Sequence, residues 1–150
     1  MYSLNRSFYN IGFVNFYFVV KTAENNERQV IDMSQNSSNE IVKIAHHAMD
    51  IKMAEDIRII KISDISVIAD YFIIANGTNA PQVEAIVDSV EYELGKAGYQ
   101  AARIEGVKSS GWILMDYGDV IVHVFAKEDR LFYDLERVWR DGTTVSIEEL

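Results

Sequence analysis

Catalysis and metal binding need side chains that titrate or coordinate, brought to one place by their spacing. Three histidines are present. His46 and His47 are adjacent, and neighbours on a helix diverge by about 100°, so the pair does not share a metal ion easily. Both read as surface or boundary residues. His123 stands between Val122 and Val124, and on a strand it shares a face with Ile121 and Phe125. It could act as a general base, but no serine or second histidine is spaced to complete a triad. It reads as a boundary or binding-surface histidine. Asp116 and Asp119 suggest a divalent ion, which two carboxylates hold when they face the same way. An i, i+3 spacing across Gly118 suits turn capping and charge at a sheet rim instead. Cysteine is absent, which excludes disulfides, thiolate nucleophiles and cysteine-type zinc sites. It fits a reducing compartment.

Asn76-Gly77-Thr78-Asn79 joins an apolar run to a helical pattern, the geometry of an anion site at a helix N-terminus. It lacks the repeated glycines of a dinucleotide turn and the Gly-Lys-Ser/Thr of a P-loop, so it reads as a capped strand-to-helix turn. Trp112 follows the loop Lys108-Ser109-Ser110-Gly111. Alternation puts Trp112, Leu114 and Asp116 on one face and Ile113, Met115 and Tyr117 on the other. Whichever face is left uncovered becomes a binding surface, and tryptophan is a frequent interface anchor. Phe132-Tyr133-Asp134 adds aromatics beside the Leu131/Leu135 stripe. These residues outline no enzyme active site; they favour protein binding at a sheet rim.

The elements that would position them follow from periodicity. Ile41, Ile44, Ala45 and Ala48, preceded by Asn39 and Glu40, mark one face of a helix. Ile57–Ile62 alternates as a strand. Asp70–Ala75 is a buried central strand closed by Asn76-Gly77. A helix follows, capped by Thr78 or Asn79, with Pro81 in its first turn. Val83, Ile86, Val87, Val90 and Leu94 form its stripe, and Gly98 ends it. Ala101–Val107, Trp112–Tyr117 and Asp119–Ala126 are strands, the last two a hairpin about Tyr117-Gly118-Asp119. A last helix runs from about Glu128 to Trp139, burying Leu131, Leu135, Val138 and Trp139. The expectation is an α/β fold with a mixed five-stranded sheet flanked by helices.

The 150 residues suffice for one domain. Hydrophobic residues make up 49% and charged residues 25%, a globular mix. The net charge of −9 disfavours a large nucleic-acid face or an anionic membrane and favours a basic protein partner. Residues 1–32 differ from the rest: three basic residues balance three acidic ones there, leaving 11 against 20 in residues 33–150. The apolar stretch Ile11–Val20 is too short to span a membrane and no small-residue cleavage site follows it. Residues 1–32 are expected to be an extension outside the core fold, or residues upstream of a start at Met33; a strand on a sheet edge is the third option. Residues 33–142 are the domain and 143–150 a C-terminal tail.

Four stretches in order resemble one family. They are Ala54-Glu55-Asp56-Ile57, then Ile68-Ala69-Asp70-Tyr71-Phe72-Ile73-Ile74-Ala75-Asn76-Gly77, then Trp112 through Phe125 (WILMDYGDVIVHVF), then Phe132 through Trp139 (FYDLERVW). Together they are similar to the Iojap family, the bacterial ribosomal silencing factors, over about Met33–Trp139. The resemblance implies a cytoplasmic translational repressor of nutrient-limited, stationary-phase cells. It implies binding to the large ribosomal subunit through ribosomal protein fourteen, which blocks joining of the small subunit. It implies no catalysis, no cofactor, no metal, no sequence-specific nucleic acid and no membrane, with a homodimer as an option. The implied fold is similar to a nucleotidyltransferase core without its catalytic acids: Gly77-Thr78 resembles that turn, but Arg103 and Glu105 stand where an acidic pair is needed. A nucleotide-binding enzyme of that kind is the alternative. By carry-over of the Trp segment, the partner-binding residues are Trp112, Leu114, Asp116 and Tyr117, with Glu105 and Tyr133 as weaker candidates.

Overall fold

The computed structural model describes residues 33–106 and 110–150, with side chains from Ser37 onward. The expectations for residues 1–32, for Val107 and for Lys108–Ser109 lie outside the described residues. In chain order the elements are α1 (Met33–Ile51), β1 (Glu55–Lys61), β2 (Tyr71–Gly77), α2 (Ala80–Lys96) and β3 (Arg103–Glu105). Then come β4 (Trp112–Asp116), β5 (Val120–Ala126), α3 (Lys127–Tyr133), α4 (Leu135–Val138) and β6 (Thr143–Val145), before a 3-10 turn at Ile147–Glu149. This is the mixed α/β architecture expected.

The sheet order is β3-β4-β5-β2-β1-β6. All seven residues of β2 are buried, which a strand with no polar alternation requires. It pairs in parallel with β5, placing Ile74 beside His123, while every other pairing is antiparallel. Parallel neighbours need a crossover, and α2, β3 and β4 supply it.

One face carries Ile73, Ala75, Met115, Val122 and Val124 and packs in a single cluster with α1 and α2. Ile41, Val42, Ala45, Ala48 and Met49 are the buried stripe of α1, and the five expected positions are that of α2. Asn79 caps α2: its Oδ1 accepts the Gln82 N–H at 2.9 Å, with Pro81 in the first turn. The Ser89 hydroxyl donates to the Ala48 carbonyl at 3.0 Å and ties the helices together. The other face carries Phe72, Ile74, Ile121, His123 and Phe125, all fully buried, and meets α3 and α4.

Helix α1 begins at Met33, ahead of the apolar face that marks it. Three expectations are corrected. The third strand is only Arg103–Glu105, because Gly106 turns out of the extended region at φ 99°. The last helix is two helices, since Asp134 adopts a left-handed conformation (φ 45°, ψ 54°). That break redirects the stripe: Leu131 and Val138 are 78% and 68% exposed, whereas Leu135 and Arg130 are buried. Residues 143–145 are not tail but a sixth strand on the edge, pairing Ile59 with Val145 and Lys61 with Thr143. A three-residue strand is too short to show a period, so only its partner reveals it.

Val145, Ile147 and Leu150 pack on the helical-face core. Truncation after Gly142 removes these side chains and uncovers the β1 edge. It is expected to lower unfolding stability by roughly 2–4 kcal/mol, read from the urea midpoint, with the fold retained.

Candidate partner-binding face

The loop before β4 closes on Gly111, whose φ of 73° suits glycine and whose Cα faces the Asp129 carboxylate, where any side chain would collide. The Gly111 carbonyl accepts the Ala126 N–H at 2.8 Å and the Ser110 hydroxyl donates to the Trp112 carbonyl at 2.9 Å. The chain is thereby turned so that Trp112 enters the sheet with its indole over β5. It stacks on Phe125 at 4.8 Å between centroids, and Tyr133 of α3 lies against it at 4.8 Å. Phe72 meets His123 edge-on at 4.8 Å and Trp139 edge-on at 5.0 Å. An aromatic layer thus runs from Tyr133 through Trp112, Phe125, His123 and Phe72 to Trp139.

His123 is its polar member. The Trp112 indole N–H donates to His123 Nδ1 at 3.2 Å, so a neutral ring carries its proton on Nε2, which has no partner. Full burial lowers its pKa to about 3. A general base needs a pKa near working pH and access to substrate. His123 has neither, and it is a core residue rather than a boundary one.

The structure brings five of the six candidate residues together. Trp112, Leu114 and Asp116 share the aromatic face, Glu105 pairs with Leu114 across β3–β4, and Tyr133 covers Trp112. Tyr117 belongs to the opposite face, inside the cluster under α1 and α2. Burial, with Glu91 nearby, pushes its hydroxyl up to about 12. Neither face of β4 is open: Trp112 is 7% exposed and Leu114 2% on one side, and Ile113 is 2% exposed on the other. Solvent meets instead Leu131 and Phe132, both exposed, with half-buried Tyr133 and Glu105 at their margin.

The polar candidates have structural employment. Asp116 Oδ1 accepts the Gly118 N–H at 2.8 Å and holds the hairpin turn. The Asp119 carbonyl accepts the N–H groups of Asp70 and Tyr71. At the Gly77–Thr78 turn, the Thr78 N–H and hydroxyl both donate to Gln82 Oε1 at 2.8 Å, so that amide is already used. Half-buried His46 and exposed His47 lie on α1. Among the described residues no three or more His, Asp or Glu side chains are grouped to hold a metal ion, and no helix is long and apolar enough to cross a membrane. Sequence reasoning missed Arg130, which is buried between α3 and the sheet. Its partners Asp56 and Asn76 are far away in the chain, so no local signal marks it.

The depressed His123 pKa makes a stability prediction. An unfolded chain binds the His123 proton below about pH 6.5, and the folded one only near pH 3. The contribution is complete above pH 6.5 and is lost as pH falls through that window. Between pH 7 and pH 5 the loss is about 2 kcal/mol. Urea unfolding at both pH values should show that slope in the unaltered chain and a correspondingly shallower one in His123→Gln.

Residues 34–150 match the family model described as ribosomal silencing factor during starvation. The ribosomal silencing factor of Bacillus subtilis is 40% identical over 116 residues, covering 77% of this chain and 96% of that protein. Its counterpart in Halalkalibacterium halodurans is 39% identical over 112 residues, covering 75% and 96%. The chloroplast protein Iojap of Zea mays is 30% identical over 106 residues, covering 71% of this chain and 46% of that protein. Among solved structures, one from Chromobacterium violaceum superposes with a TM-score of 0.67 at 35% identity, covering 73% of this chain and 90% of that one. One from Bacillus halodurans gives 0.64 at 36%, covering 71% and 97%. On the family match and these identities, the chain belongs to the ribosomal silencing factor family.

Proposed function

We propose that this protein is a cytoplasmic translational silencer that docks on the large ribosomal subunit and keeps the small subunit from joining when nutrients are scarce. The family match over residues 34–150 carries this reading. The docking partner is ribosomal protein fourteen, at the face where the small subunit would sit. A chain at −9 is drawn to a basic ribosomal protein, and nearby RNA phosphates repel misplaced copies. Residues 33–142 form the functional domain, with residues 1–32 outside it; the edge strand beyond Gly142 completes the sheet.

The docking face is the margin of the aromatic layer. Trp112 and Leu114 are its rigid floor, and Tyr133 and Glu105 its accessible rim, extended by exposed Phe132. Asp116 fixes the hairpin turn at its end, and Tyr117 anchors that turn from the opposite side of the sheet. Rigid aromatics presented on a packed floor lose little side-chain entropy on binding. Exclusion by bulk then requires no turnover, cofactor or metal. The nucleotidyltransferase alternative finds little support: Arg103 is opposite Asp116, and the Thr78 amide that would meet a phosphate is taken by Gln82.

Two measurements test this. In a subunit-joining assay, the unaltered protein should deplete whole ribosomes in proportion to dose; no depletion at any dose removes the silencing function. In co-sedimentation with large subunits, Phe132→Ser/Tyr133→Ala should weaken binding by about 30-fold or more, with binding also falling as salt rises. Undiminished binding by that folded variant removes the face. Trp112→Ala is less informative, because loss of so buried a ring costs about 3–5 kcal/mol of stability.

A further inference from the structure

Behind the elbow between α3 and α4 lies a cleft of about 470 Å³, and Arg130 lines it. Its side chain is only 6% exposed. A buried guanidinium is costly unless its donors are met, so its partners show what holds it there. Nε and Nη2 donate to Glu136 Oε1 at 2.9 and 2.5 Å. Nη1 donates to the Asp56 carbonyl at 2.7 Å and to Asn76 Oδ1 at 2.9 Å. The Asp56 carboxylate lies 3.3 Å from Nη2. One planar fork therefore joins α3, the start of α4, β1 and β2.

Two aspartates with left-handed backbones flank this fork, Asp56 at φ 47° and Asp134 at φ 45°. Asp56 sits where the β1–β2 register shifts between Glu55 and Arg58, and the bulge turns its carbonyl to Arg130. Asp134 is the elbow itself, between Arg130 and Glu136 in sequence. Such conformations are unfavourable for aspartate and persist where surrounding contacts over-determine them. Helices α3 and α4 have seven and four residues, too short to hold themselves. Tyr133, which covers Trp112, and Phe132, which faces solvent, sit at the end of α3, immediately before the elbow.

We infer that Arg130 is the positioning residue of the docking face: by clamping α4 to α3 across Asp134, and both to the β1 bulge, it sets where Tyr133 and Phe132 project. This rests on the docking role proposed above. A lysine keeps the charge but offers no planar fork, so it cannot reproduce four directed hydrogen bonds.

The test uses the full chain with Arg130→Lys, at a temperature where circular dichroism shows it folded. Large-subunit affinity should fall about tenfold or more, the equivalent of one charge-assisted hydrogen bond. Amide exchange should quicken in residues 127–139 and not in α1 or α2. Val90→Ala in α2 is the control for lost stability alone and should bind as the unaltered chain does. In a Phe132→Ser/Tyr133→Ala background, Arg130→Lys should cost almost nothing further, because it acts through those side chains. Unchanged affinity of Arg130→Lys, an equal loss in Val90→Ala, or a full additional loss in the Phe132/Tyr133 background each overturns the positioning role. Failure of the unaltered chain to bind at all is a separate result, which removes the docking reading and the positioning role with it.

Discussion

The parallel pairing of β2 with β5 is the constraint on which the rest of the molecule depends. Both strands are almost wholly buried, so both faces of the sheet need cover at its centre. A parallel pair also forces the chain out of the sheet and back, and that excursion builds α2 and the β3–β4 edge. On one face the cover is generous, with two long helices whose stripes interlock through Ser89. On the other, among the described residues, the cover is two short helices that bend apart at Asp134.

This asymmetry accounts for the chemistry of the thinly covered face. Large flat rings fill it, and they enclose one imidazole. Burial keeps His123 neutral, and the Trp112 indole settles which nitrogen bears the proton. A histidine in this setting fixes the neighbouring tryptophan in orientation and does no proton transfer. The bend at Asp134 has a second effect: it turns Leu131 and Val138 outward and leaves exposed apolar surface beside Phe132. Apolar side chains gathered outside the core are a common mark of a partner surface.

Much of the fold is legible residue by residue. The continuous run Tyr71–Ala75 marks a strand with no solvent face, and Gly118 between two apolar runs marks a hairpin. Asn79 before Pro81 marks a helix start, and the five-residue stripe of α2 is the one the core uses. The candidate face is half legible. Alternation puts Trp112, Leu114 and Asp116 together, but it cannot say whether that side is open, because exposure depends on what folds over it. Alternation also puts Tyr117 on the opposite face, where it lies. Grouping it with Trp112 as a binding residue comes from the contiguous motif, which ignores that one step along a strand changes face.

The amino-acid order alone determined the class of fold, the central strands, the acidic character and the family, because each is written in local period, composition or contiguous motif. Tertiary structure alone decided that Trp112 is floor rather than exposed anchor and that Thr143–Val145 is an edge strand. It also decided that Arg130 joins four elements. These depend on pairs such as Arg130 with Asp56, 74 residues apart. Burial and long-range pairing are properties of what the folded chain brings together: Glu136 is near Arg130 in sequence, but no short window also contains Asp56 and Asn76.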